Sequence, residues 1–269
     1  MFRHLNETKH VMNARRSALL LAVTLAGCQS VPSAGSPATA GPNQLSAAER
    51  SAGWRLLFDG RTFAGWRGLG YDSVPSAHWK IVDGSIQKVE SGDVPKMPDG
   101  QPASGGDLMT TEAFKDFDLL FDWKVAPGSN SGLKYNVSEE MSVKSSNHAA
   151  LGFEYQVLDD ALNNDNKIPS HRAGSLYDLI PSGATAYLRP VGDWNTSRVV
   201  VRGNHGEHWL NGTMVVSYDL GSQRMDSLLN ASKYKTIKGF GDRRTGHIVL
   251  QDHNDAAWFR NIKLRPLNP

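Results

Sequence analysis

Residues 197–218 read SRVVVRGNHGEHWLNGTMVVSY, and this stretch decides the fold class. It holds short runs rich in β-branched and aromatic residues, with glycine and asparagine between them. The dipeptide Asn211-Gly212 between HWL and TMVVSY is typical of a two-residue β-hairpin turn. The stretch therefore predicts consecutive antiparallel strands.

The same pattern recurs along most of the chain. Further strands are predicted at 118–125, 131–137, 151–158, 246–252 and 258–264. Only residues 46–51 and 225–232 read as helical. Many short strands with few helices are typical of an all-β sandwich or barrel, and the long loops at 87–107 and 138–150 favour a sandwich with a site at its rim.

The N-terminal residues predict export. Arg15 and Arg16 precede an apolar run at 18–26 that is too short to span a bilayer, which is typical of a signal peptide. The run ends in LAGC, which resembles the lipobox of bacterial lipoproteins and implies lipidation of Cys28 after cleavage. Because Gln29 and not aspartate follows, we expect a lipoprotein of the bacterial cell envelope on the periplasmic face of the outer membrane.

Composition predicts one folded domain behind a tether. Residues 1–27 are the expected signal peptide, 28–46 a flexible tether rich in Ser, Pro, Ala and Gly, and 47–269 a single β-sandwich domain. Cys28 is the only cysteine, so no intramolecular disulfide is expected, and stability must come from burial of the core.

The charge balance excludes one class of partner. The formal net charge is +2, but residues 1–27 contribute four basic side chains and one acidic one, so the net charge without them is −1. No basic stripe is left, and a nucleic-acid partner is not expected. Contact with the membrane is expected through the lipid anchor only.

Strand alternation places polar side chains together on a face that does not belong to the core. Leu133, Tyr135 and Val137 are predicted to point inward. The predicted outward set is Lys134, Asn136, Glu154, Gln156, Gln251 and His253. One face of an antiparallel sheet can be wet without having a function, but Glu, Gln and His together offer a base, hydrogen-bond donors and acceptors, and metal ligands.

Tryptophans are the second group of candidate site residues. Trp123 alternates with Leu119 and Phe121 and is predicted to lie in the core. Trp66 and Trp79 lie in loop-like or pre-strand settings, where an indole serves either as a sugar platform or as packing at the rim.

Motifs along residues 53–269 resemble the 3-keto-disaccharide hydrolase family. In order they are FDG-x(5)-W at 58–66, WKIVDGSI at 79–86, GGDLMT at 105–110, FKDFDLLFDWKV, NSGLKY, FEYQVLDD, GSLYDL, GDWN, HWLNG and GHIVLQDHNDAAWFRNIKLRPL. The resemblance implies a concanavalin-like jelly-roll β-sandwich of two antiparallel sheets. It also implies a carbohydrate substrate, a glycoside oxidised at C3 of the sugar.

The chemistry that the resemblance implies is elimination followed by hydration. A 3-keto group makes the C2 proton acidic, so a base can remove it and expel the C1 substituent. Water then adds to the enone, although some relatives resemble lyases that stop at elimination. A divalent metal ion of unknown identity, bridging the C3 carbonyl and the C2 hydroxyl, is part of this expectation.

The resemblance also assigns roles by motif. Glu154 and His253 are the expected catalytic acid/base or metal-binding pair, with their individual roles left open. The expected sugar contacts, some from the resemblance and some from the polar face and the tryptophans, are Asp107, Lys134, Gln156, Tyr177, Gln251 and Trp66. His171 is either a further ligand or a loop histidine without a role.

The same residues bear on two other functions. A conventional glycosidase needs two carboxylates, but the position that alternates with Glu154 is Gln156, and Asp159 falls on the opposite face. The alternative from another class is a non-catalytic carbohydrate-binding lipoprotein domain. A sugar 3-dehydrogenase that supplies the keto-sugar is a candidate partner.

Overall fold

The computed structural model describes residues 41–90, 106–144, 149–183 and 187–267. Its strands form two antiparallel sheets. The strands of the larger sheet are β1 (Arg55–Leu56), β3 (Trp79–Val82), β4 (Ser85–Lys88), β6 (Phe117–Val125), β9 (Asn195–Arg202), β10 (His205–Leu210), β11 (Thr213–Asp219) and β13 (Ala257–Pro266). Those of the smaller sheet are β2 (Trp66–Gly68), β5 (Leu108–Phe114), β7 (Asn130–Val137), β8 (Phe153–Leu158) and β12 (Gly246–Leu250).

The two sheets pack face to face as a jelly-roll sandwich, which confirms the predicted fold class. The larger sheet runs β11-β10-β9-β6-β13-β4-β3, and β1 also pairs with β13. The smaller sheet runs β2-β5-β12-β7-β8. The α-helices are short: α1 (Ala47–Ser51), α2 (Glu139–Lys144) and α3 (Gln223–Ala231). Among the described residues, no helix has the length and apolar character needed to cross a membrane.

Aromatic side chains and a few buried hydroxyls fill the space between the sheets. Phe121 meets Tyr155 edge to face at 5.3 Å between ring centroids. The Trp123 indole donates to Ser197 Oγ at 2.8 Å, and that hydroxyl donates to the Tyr155 phenol at 2.7 Å. Trp123 is therefore a core residue, as its alternation predicts.

Trp66 and Trp79 are both packed inside the fold, which is the packing alternative for each and departs from the expected sugar contact at Trp66. Trp66 is only 5% exposed, packs in the main core and donates from its indole to the Leu57 carbonyl at 2.6 Å. Trp79 is 1% exposed and donates to the Gly106 carbonyl at 2.5 Å. Their loop-like sequences gave no sign of strands β2 and β3, which turn both indoles inward.

A bulge in β7 corrects the predicted direction of Val137. Leu133 and Tyr135 point into the main core as expected, but Asn136 has φ of 53° and the pairing with β12 shifts here. The extra residue of the bulge reverses which side chains of β7 point to the core and which point outward beyond it. Val137 therefore packs with Met109 in a second small cluster, separate from the main core.

Ordered contacts begin a few residues before the predicted domain start. The Asn43 side chain donates to the Gly84 carbonyl at 2.8 Å and accepts from the Asn261 N–H at 2.7 Å. Ser46 and Glu49 then form a capping box on α1. The signal peptide, Cys28 and most of the tether lie outside the described residues, as do residues 91–105 and 145–148 of the two predicted long loops.

His208 sits fully buried in the core and makes stability depend on pH. Its Nε2 contacts the Tyr135 phenol at 2.9 Å, and its Nδ1 contacts the Gly174 carbonyl at 3.0 Å. Burial lowers the pKa of His208 to about 4, against the backbone carbonyls, which raise it. The folded protein therefore keeps this imidazole neutral where the unfolded chain has begun to bind a proton.

Acidification is expected to destabilise the fold through His208. Because the pKa of His208 is lower in the folded protein, the full free energy of unfolding is present above about pH 6.5. As the pH falls towards 4, the unfolded chain binds a proton more readily, and the free energy of unfolding drops by about 3 kcal/mol. We expect the free energy of unfolding of His208→Gln, measured with denaturant at pH 7 and pH 4, to fall less than that of the parent. Equal falls in the two proteins would contradict this role.

Candidate functional site

The site lies on the face of the smaller sheet that points away from the core. Neighbouring strands β7 and β8 pair Lys134 with Glu154 and Gly132 with Gln156. Lys134 Nζ lies 3.6 Å from Glu154 Oε2. A Cβ on Gly132 would lie 2.3 Å from Glu154 Oε1, so the carboxylate occupies the space over the sheet that a side chain at position 132 would need.

This face is buried, whereas an ordinary outer face would be wet. Glu154 is 3% exposed and Gln156 is fully buried, because the chain that follows β8 folds back along its edge. The Gly174 N–H donates to the Gln156 carbonyl at 2.9 Å, and the Tyr177 N–H donates to the Glu154 carbonyl at 3.1 Å. These bonds place Tyr177 beside Glu154.

Buried amide oxygens on this face lack partners within the described residues. Gln156 donates to Asn130 Oδ1 at 3.3 Å, but its Oε1 has no hydrogen bond there, and neither has Gln251 Oε1. A buried unpaired acceptor costs roughly 1–3 kcal/mol. Both oxygens are therefore set to accept hydrogen bonds from a ligand that carries hydroxyl groups.

A second carboxylate cluster borders Glu154. The Tyr177 phenol donates to Asp165 Oδ2 at 3.3 Å. The ring nitrogens of His171 contact Asp165 Oδ1 at 2.8 Å and Asp178 Oδ1 at 3.1 Å. His171 is therefore neither a histidine without partners nor a free ligand, and the sequence held no signal for its two carboxylate contacts.

The charges of this cluster shift several pKa values. Burial raises the pKa of Tyr177, and the charges of Glu154 and Asp165 add to the rise. Burial would raise the pKa of Asp165, but His171 and, more weakly, Tyr177 and His253 outweigh it, so the pKa is lowered. Burial would likewise lower the pKa of His171, but the contacts with Asp165 and Asp178 outweigh it, so the pKa is raised.

His253 reaches this cluster from the loop after β12. The Gln251 N–H donates to the Gly132 carbonyl at 2.9 Å, which holds the start of the loop against β7. His253 is half-buried, and its charge acts on Asp165. A backbone hydrogen bond thus links Tyr177 to Glu154, the phenol links Tyr177 to Asp165, and His253 acts on Asp165 through its charge.

Asp107 serves as a structural connector, which departs from its predicted role as a sugar contact. Its Oδ1 accepts from the Asp252 N–H at 2.8 Å and its Oδ2 from the Ala150 N–H at 3.1 Å. Burial raises its pKa, against the charge of Lys134, which lowers it. Both oxygens tie separate segments together at the end of the smaller sheet.

A buried ion-pair group beside the site was missed by sequence reasoning. Lys88 Nζ lies 3.0 Å from Asp252 Oδ1, and His78 Nδ1 lies 2.5 Å from Asp252 Oδ2. The Lys88 and Asp252 side chains are completely buried. Distant sequence positions supply these groups, and no spacing pattern links them.

The structure gives no second carboxylate at the alternate position of β8. Asp159 instead holds the turn after the strand, since its Oδ1 accepts from the Ala161 N–H at 2.9 Å and its Oδ2 from the Gly128 N–H at 2.7 Å. Within the described ranges, no three His, Cys, Asp or Glu groups come together as metal ligands would. The divalent ion that the resemblance implies therefore stays a prediction.

Fold and site together define a class of protein. Sugars present many hydroxyl donors, and this face offers a carboxylate and buried amide acceptors to match them.

A candidate glycosyl hydrolase from Parabacteroides distasonis, known from a crystal structure, superposes with a TM-score of 0.73 at 27% identity, over 85% of this chain and all of that one. A second such structure from the same organism has a TM-score of 0.58 at 24% identity, covers 80% of this chain and 99% of that one, and shares the fold. The protein is thus a jelly-roll sandwich of the sugar-acting class.

The family is shown by sequence. The profile of the 3-keto-alpha-glucoside-1,2-lyase-like domain matches residues 53–265, and the chain belongs to this family. A relative from Bacteroides thetaiotaomicron, named 3-keto-disaccharide hydrolase, is 37% identical over 80% of this chain and 79% of its own length.

Proposed function

We propose that this protein is a hydrolase that cleaves glycosides oxidised at C3 of the sugar ring. Family membership supports the enzyme class and the keto-sugar substrate. The observation that carries the proposal is the buried Glu154 carboxylate, 3.6 Å from Lys134, on a sheet face that also carries the side-chain oxygens of Gln156 and Gln251, which are buried and have no hydrogen bond within the described residues. These groups offer a base and two hydroxyl acceptors on one enclosed face.

The proposed reaction begins with proton transfer. A base removes the C2 proton, the electron pair passes through the enolate of the 3-keto group, and the C1–O bond breaks as the C1=C2 bond forms. The leaving oxygen takes a proton and departs as an alcohol. Water then adds its oxygen to C1 while C2 is protonated, which gives the free 3-keto sugar.

The positions of the side chains suggest how the roles divide. Glu154 is buried over Gly132, on the same strand as Gln156, and we assign it the removal of the C2 proton. His253 lies at the half-buried edge, where an imidazole can exchange protons with water, and we assign it proton transfer to the leaving oxygen. Lys134 beside Glu154 is placed to balance the enolate charge. Tyr177 is neutral, and because its phenol proton goes to Asp165, its oxygen can accept a hydrogen bond from a sugar hydroxyl.

The substrate class is tested with a matched pair of compounds. We expect the protein to release the alcohol from a nitrophenyl 3-keto-glucoside and to leave the same glucoside without the keto group intact, because only the ketone acidifies C2. Release is followed by absorbance of nitrophenol. Equal cleavage of both compounds would contradict the proposal, and binding without any cleavage would favour a non-catalytic carbohydrate-binding domain.

A divalent ion at Glu154 and His253 stays a prediction from the resemblance. Turnover measured before and after dialysis against a chelator tests it. A loss that a divalent ion restores would bring a metal into the reaction, and unchanged turnover would remove it from the proposal.

The cellular setting is also proposed from the sequence alone. Lipidation at Cys28 would hold the protein on the periplasmic face of the outer membrane, and a sugar 3-dehydrogenase would supply its substrate. We expect Cys28→Ala to move the protein from the membrane fraction to the soluble fraction. An unchanged membrane fraction would contradict the lipid anchor.

A further inference from the structure

A histidine next to the proposed site, to which the mechanism gives no role, has both ring nitrogens in contact with carboxylates. Each ring nitrogen of His171 contacts a carboxylate oxygen, one of Asp165 and one of Asp178. A carboxylate accepts but does not donate, so both contacts are satisfied only when both ring nitrogens carry protons. The geometry therefore selects the imidazolium form.

The same imidazolium contacts Tyr177. The two rings stack with centroids 4.2 Å apart and an interplanar angle of 24°. The phenol is fixed at its far end by Asp165 Oδ2, and the ammonium of Lys233 lies 4.3 Å from the ring centroid. The Lys233 N–H also donates to Asp178 Oδ2 at 2.8 Å, which closes the cluster.

We propose that His171 is a positioning residue: held as an imidazolium between Asp165 and Asp178, it keeps the Tyr177 phenol in place beside Glu154. The inference rests on the proposed function, since it names a residue that shapes the same site. The ion pairs and the stacking hold as long as the proton stays on the ring. Loss of that proton removes one hydrogen bond to a carboxylate and leaves two carboxylates facing a neutral ring.

The expected consequence is a limit to activity at alkaline pH. The charged or titratable groups around His171 are Asp165, Asp178, Tyr177 and Lys233, with His253 beyond Asp165. Because the pKa of His171 is raised, its contribution is complete below the ordinary value of 6.5 and is lost as the pH rises through the higher folded-state value.

Two matched variants test this with a nitrophenyl 3-keto-glucoside. We expect the activity of the parent to fall at alkaline pH, and we expect His171→Gln to lower kcat by about 10- to 100-fold and to lack this fall. The control is His205→Gln, because His205 also contacts two carboxylates, Asp219 at 2.8 Å and Glu207 at 3.3 Å, but lies on the β10–β11 hairpin. His205→Gln should retain the parent's kcat and pH profile, and the same retention by His171→Gln would overturn the proposal.

A second measurement needs no substrate and separates this inference from the proposed function. In the parent protein, NMR titration should show the His171 ring protonated at neutral pH and the Tyr177 ring signals shifting with the same midpoint. A His171 ring that is neutral at pH 7, or Tyr177 signals that do not follow it, would overturn the proposal even if His171→Gln failed to fold. If the titration shows the expected result but the protein cleaves no 3-keto-glucoside, His171 remains a positioning residue and only the proposed function is contradicted.

Discussion

Replacing Glu154 with Gln is expected to lower kcat on a 3-keto-glucoside by about 10²–10⁴-fold, which is the usual contribution of general acid–base catalysis. The amide keeps the size of the side chain and its place over Gly132, but it cannot take up a proton at neutral pH. Because the groups that accept sugar hydroxyls remain, KM should change far less than kcat.

The control for this change is Glu207→Gln on β10, a carboxylate that contacts His205 and lies on the larger sheet. It should leave kcat and KM as they are in the parent. Turnover by Glu154→Gln equal to that of the parent would rule out Glu154 as the base, and His253→Ala would then be the variant to examine first.

Replacing Asp252 with Asn is expected to destabilise the fold by about 3–5 kcal/mol, because it removes the carboxylate charge that lies 3.0 Å from the buried Lys88 ammonium. Burial already lowers the pKa of Lys88, against the charge of Asp252, which raises it. The variant keeps an oxygen that can accept from the Asn254 N–H, so the change acts mainly on charge. The free energy of unfolding in denaturant measures it.

A double variant separates the charge effect from a loss of packing. Lys88→Met with Asp252→Asn removes both charges, and we expect it to recover most of the stability that either single change loses. Losses that simply add in the double variant would show that the ion pair is not the cause.

The strand pattern of this protein could be predicted because its strands are short, rich in β-branched residues and bounded by turn residues. The hairpin at Asn211-Gly212 and the core position of Trp123 follow from local sequence and are confirmed. The error at Val137 has a local cause as well, since one residue of positive φ at Asn136 reverses the alternation beyond it.

The site could be predicted only where it follows strand parity. Lys134 and Glu154 are paired on adjacent strands and Gln156 lies two residues beyond Glu154, so alternation alone places all three on one face. His171 could not be assigned, because its partners Asp165 and Asp178 meet it through a loop fold that has no period. Trp66 was misassigned for the related reason that a three-residue strand leaves too short a pattern to show which way its side chains point.

If the C2 proton is removed before the glycosidic bond breaks, the product formed in D₂O must carry deuterium at C2. Cleavage of a 3-keto-glucoside in D₂O, stopped early and examined by NMR, should give a 3-keto sugar with deuterium at C2, above the exchange of the free product alone. Glu154→Gln should form little of this labelled product. Cleavage at the parent's rate with the original hydrogen retained at C2 would contradict the account, because it would mean direct displacement at C1.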